Sequence, residues 1–146
     1  MRSLKSLTSA AMALPAILLF ASASTAHAEK PAYLHAISDL RTAREYLQQD
    51  ARPRYAEVRN NVIVEIGKAI DDMKRAAVDD GKNPNHTPPP QSEGDPRIPV
   101  RSAIKLLEEA RHDVEHGRDV PENEGLQVRS LQHIDNARHA LEEIVR

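Results

Sequence analysis

The chain reads as all-α: an antiparallel four-helix bundle built from two copies of one αα-hairpin. Three observations predict this. Ala36-Ile37, Leu40, Ala43 and Arg44 recur in the same spacing as Ala103-Ile104, Leu107, Ala110 and Arg111. At nearly the same offset, Ile66 and Ala69 recur as Ile134 and Ala137. Apolar residues in both copies are spaced by threes and fours, as in a helix with one buried face. Pro31, Pro53, Pro99 and Pro121 each precede such a segment. Proline is tolerated in the first helical turn, where its missing N–H has no partner to lose. A helical hairpin cannot bury its apolar face alone, so packing on a second copy is the simplest solution.

The spacing predicts helices over about 31–49, 53–80, 98–116 and 121–145. The first offers Tyr33, Ile37, Leu40, Ala43 and Leu47 to the core. The second offers Tyr55, Val58, Val62, Ile66, Ala69, Met73 and Ala76. The third offers Val100, Ala103, Leu107, Ala110 and Val114, and the fourth Ile134, Ala137, Leu141, Ile144 and Val145. Gly81 and Gly117 follow helices two and three, where glycine commonly ends a helix. The first and last connections are short, which favours antiparallel neighbours. The middle one, residues 81–97, is rich in Pro, Asn and Gly and reads as a mobile linker.

Residues 1–28 read as a secretory signal. Arg2 and Lys5 form a basic start, an apolar run from Ala10 to Ala21 follows, and Ala26-His27-Ala28 is a small-residue cleavage site. The run is too short to span a bilayer. The expected location is therefore the periplasm or the exterior, with residues 29–146 as the bundle domain and no membrane span after cleavage. The chain has no cysteine, so an oxidising compartment supplies no disulfide, and packing alone must hold the fold. Formal charge is −2 overall, and the leader carries basic residues only, so the mature part is more acidic still. That balance offers nothing to nucleic acid.

Several polar groups fall where they could carry chemistry. Arg44 and Arg111 occupy one repeat position near the centres of their apolar stripes; Glu65 and His133 occupy another at the edge. A charge facing a core must be paired, so these four predict a buried polar layer, with Arg111 at the height of His133. His112 and His116 stand one helical turn apart, a spacing that suits zinc or copper. An up-down-up-down order would gather His35, His86 and His139 at one end of the bundle, although His35 and His139 point outward by phase. Candidate metal residues are thus His112, His116, His133, His35 and His86. No nucleophile–base pair, glycine-rich phosphate loop or inward pair of carboxylates stands out, which argues against an enzyme.

Three segments carry a resemblance: Tyr33-Leu34-His35-Ala36-Ile37-Ser38-Asp39-Leu40-Arg41; Ala76-Ala77-Val78-Asp79-Asp80-Gly81-Lys82-Asn83 with His86 and its prolines; and His133-Ile134-Asp135. Together they resemble a family of small exported bacterial helical-bundle proteins, and this adds interest to His35, His86 and His133. In outline the chain is also similar to cytochrome b562-type bundles, which would imply haem held by a Met near the start of helix one and a His in helix four. Here His35 stands near that start, and Met73 lies in helix two. The leading expectation is an exported, non-enzymatic bundle that binds an unknown protein or small ligand or serves a structural role. The alternatives are a histidine-based metal-binding or buffering protein and, third, a b562-like haem carrier.

Overall fold

The computed structural model describes residues 31–117 and 124–146. The expected leader over residues 1–28, and Pro121 at the expected start of helix four, lie outside that range. The described residues form four helices and no strand: α1 (Ala32–Gln49), α2 (Ala56–Asp79), α3 (Pro99–His116) and α4 (Glu124–Val145). A 3-10 turn, Pro53–Tyr55, leads into α2. None of these helices is long and apolar enough to cross a membrane.

The most extensive contacts join α1 to α3 and α2 to α4; α3–α4 and α1–α2 contacts are smaller. That differs from an up-down-up-down ring, in which α4 would close against α1. Residue numbers fall along one helix as they rise along its neighbour. Glu65 of α2 meets His133, Ala69 meets Ser130, and Asp72 meets Arg129. Ala32 of α1 lies beside Gly117, and Tyr46 beside the start of α3 at Ser102.

One apolar cluster runs through all four helices. Ile37, Leu40, Leu47, Ile66, Leu106, Leu107, Ile134 and Leu141 are fully buried in it. Removing each such side chain from water contributes roughly 1.5–3 kcal/mol. The buried face of α1 is wider than its periodicity implies: every residue from Ala36 to Leu40 is buried, including Ser38 and Asp39. The reason is that α1 is covered on three sides, by α2, by α3 and by the α2–α3 connection.

The turns are built from local hydrogen bonds. Asp50 caps the end of α1 and folds back on Arg52, accepting from its N–H at 3.1 Å and its Nε and Nη2 at 2.8 Å. Arg59 also donates to the Asp50 carbonyl. The Arg52 bonds outweigh burial and hold the Asp50 carboxyl below its ordinary range. Helix α2 ends in a left-handed residue, Gly81, at φ 68°. There Lys82 N–H donates to Ala77 O at 2.7 Å and Gly81 N–H to Val78 O at 2.9 Å, which satisfies two orphaned carbonyls. Gly117 does not repeat this device. Its φ of −58° and ψ of 141° are ordinary for any residue, so the chain leaves α3 extended.

Candidate functional site

The connection from Asp80 to Ile98 is not a free linker. It is a strap laid along α1. Tyr33 donates to Asp80 at one end. Farther along, Arg41 reaches Pro84 O at 3.5 Å and Thr87 Oγ1 at 3.4 Å. Pro88 is buried. At the far end Tyr46 Oη donates to Gly94 O at 2.8 Å, and Asp95 N–H donates to Ser102 Oγ at 2.8 Å. The prolines make this possible. A segment without N–H groups to satisfy can cross a helix pair in extended form at little hydrogen-bonding cost.

Beneath the middle of the strap lies Asp39, with no solvent exposure. Its Oδ1 accepts from Gln91 N–H at 2.8 Å, while its Oδ2 is buried without a partner. Two further carboxylates, both on α3, hold the same stretch: Glu109 accepts from Ser92 Oγ at 2.7 Å, and Asp113 accepts from Gln91 Nε2. Desolvation dominates the Asp39 environment. The Gln91 N–H opposes it, the Glu109 and Asp113 charges reinforce it, and the carboxyl is pushed from 3.8 up to about 7. Asp113 is also raised by burial, although His35, His112 and Gln91 pull against it. His35 presents a second unpartnered buried atom, Nδ1. Three acids and a histidine thus share one strap-covered seam between α1 and α3.

Asp39 does not stand out in the sequence as a charge, yet the repeat contains a signal. The alignment that carries Leu40 onto Leu107 carries Asp39 onto Leu106. Leu106 is fully buried too. In the expected repeat, this core position holds leucine in one half and an acid in the other.

The site residues expected from the sequence are dispersed. Glu65 and His133 do meet, at 2.7 Å, linking α2 to α4. Burial opposes ionisation of Glu65, but bonds from Lys68, His133 and Asn136 hold its carboxyl down at about 2. Arg111 does not join them. It pairs with Asp135 at 2.9 Å and Glu115 at 2.6 Å, with its side chain 36% exposed. Arg44 is half-buried on α1. In place of the expected buried polar layer there is one half-buried link, Glu65–His133, and an Arg111 that is partly exposed, as a long side chain can cover apolar surface while its charge stays solvated. Arg111→Ala should accordingly cost no more than ~1 kcal/mol in urea unfolding, the range of exposed pairs. A loss of several kcal/mol would restore the buried-layer reading.

His112 and His116 are neighbours, with ring centroids 4.2 Å apart and His116 Nδ1 against His112 O at 2.9 Å. His86 stands exposed on the strap and His139 exposed on α4. His35 is half-buried, which corrects the outward orientation expected from helical phase. Among the described residues no group of three or more His, Asp or Glu side chains is placed to hold a metal ion. The residues that the haem resemblance singles out are otherwise placed. Met73 is buried in the apolar cluster, and His133 is tied to Glu65. Comparison with protein-family models, curated proteins and solved structures gave no match.

Proposed function

We propose that this is an exported, non-enzymatic binding module: an antiparallel four-helix bundle of two duplicated hairpins whose working face is the strap-covered seam between α1 and α3. Three features support the architecture. Contacts run in opposite senses along both major helix pairs. Each helix packs most extensively on its own repeat copy. Glu65 faces its repeat counterpart His133, as expected near a two-fold axis relating the halves. The single observation that carries the functional reading is Asp39. A fully buried carboxyl with one unused oxygen, where the other copy has leucine, costs stability. Its neighbouring acids bond to the strap instead of forming a nucleophile–base pair. Binding therefore fits the seam better than catalysis.

Site-specific photocrosslinking in the exported protein tests this. A benzophenone side chain at exposed Pro89, on the strap, should give a discrete adduct. The same group at exposed Asp71, on α2, should give none. Equal adducts from both positions, or none from Pro89, would remove the seam as the binding face.

A further inference from the structure

We propose that Asp39 is a proton-operated latch: the strap closes over the α1–α3 seam with Asp39 protonated, and each opening that hydrates Asp39 releases that proton. The geometry carries this. Asp39 is buried completely, with Oδ2 unpartnered. The charged groups facing it from α3, Glu109 and Asp113, are both acids. The strap contributes the neutral Gln91 N–H. The one arginine on this stretch of α1 is turned away from it. Arg41, also on α1, is bonded to Thr87 and Pro84, and no histidine is among the groups acting on Asp39. An ionised Asp39 in the closed state would thus be a third negative charge in a desolvated acid cluster without a counter-ion, held by one N–H donor.

The sign follows from linkage. In the closed state Asp39 holds its proton up to about pH 7, whereas once hydrated it releases it near 3.8. Between those values the open form binds fewer protons. Opening should grow about tenfold per pH unit through that window and level off above about pH 7. The full span, from 3.8 to about 7, is about three powers of ten. The same strap holds all three acids, so Gln91 and Ser92 lift together. This latch stands on the strap contacts alone and does not require the seam to bind anything.

The test is NMR on the 15N,13C-labelled protein from about pH 5 to 8.5. The Asp39 Cγ shift should titrate with a midpoint near 7. The protection factor of the Gln91 amide, corrected for intrinsic exchange, should fall about tenfold per pH unit and flatten at that midpoint. Ile66, in the core of α2, should keep its protection. Asp39→Asn retains an acceptor for Gln91 N–H without a titrating proton, so its Gln91 protection should lose most of its dependence on pH between about 5 and 7. If Gln91 protection in the parent ignores the Asp39 titration, or if Asp39→Asn loosens with pH as the parent does, the latch is wrong. Should Asp39→Asn fail to fold, coincidence of the two parental curves still decides. An Asp39 midpoint near 4 would overturn the proposal outright.

Discussion

Asp39→Asn should stabilise the protein above about pH 7 and leave it nearly unchanged near pH 4. The parent carboxyl titrates at about 7 when folded against 3.8 as the ordinary value. Between these the native state binds more protons than the unfolded chain, so stability falls as pH rises. Each tenfold change in proton affinity between the two states corresponds to about 1.4 kcal/mol, which puts the ceiling near ~4 kcal/mol. The observed gain should be smaller, about 2–3 kcal/mol, because strap opening lets the native carboxylate reach water and so limits the penalty. Asp50 and Glu65, whose carboxyls are held low, act in the opposite direction and in a different window. Their contribution is lost as pH falls through their native values, below about 4. Taking parent and variant together cancels them. Urea unfolding at several pH values should show the two curves diverging from about pH 4 and running parallel above about pH 7. Parallel curves throughout would mean that Asp39 is ionised in the native protein.

What could be read from the chain, and what could not, follows from the range of the interactions. The four helices and most of their buried faces were legible because an amphipathic helix writes its core face into local spacing. Ile37, Leu40, Ala43 and Leu47 of α1 are all buried as their spacing implies. The pairing of α1 with α3 was not legible, because a repeat states which segments are equivalent and not which copies touch. The docked strap was illegible for a related reason. Proline, asparagine and glycine predict a segment without internal hydrogen bonds, and both a free linker and a docked extended strap satisfy that. The distinction depends on Tyr46, Ser102, Asp39 and Glu109, which are distant in sequence. Asp39 was hidden because a repeat draws the eye to charges shared by both copies, such as Arg44 and Arg111. The informative position was the one where the copies differ, Asp39 against Leu106.

Gly94→Ala should dislodge the strap and cost about 1–3 kcal/mol, the usual range for overpacking a filled site. A Cβ there would lie 2.6 Å from Ser102 Cβ and 2.6 and 2.7 Å from the Tyr46 ring carbons Cε2 and Cζ. Neither neighbour can retreat cheaply. Ser102 Cβ is fixed to the backbone of α3, and the Tyr46 ring is held at its tip by the bond to Gly94 O. The strap must move instead, which breaks that bond and weakens the Asp95–Ser102 pair. Tyr46→Phe supplies the comparison: it deletes the hydrogen bond while leaving the fit of Gly94 unchanged, so its loss should stay near ~1 kcal/mol. The two sites are then coupled through the strap. Once Gly94→Ala lifts the segment, Asp39 is hydrated, its carboxyl returns toward 3.8, and the gain from Asp39→Asn above about pH 7 should shrink in the double variant. Measured as a double-mutant cycle in urea, strict additivity of the two substitutions would show that the strap does not connect Gly94 to Asp39. Non-additivity that disappears near pH 4, where Asp39 is protonated in both backgrounds, is the signature expected if the strap is what keeps this carboxyl out of water.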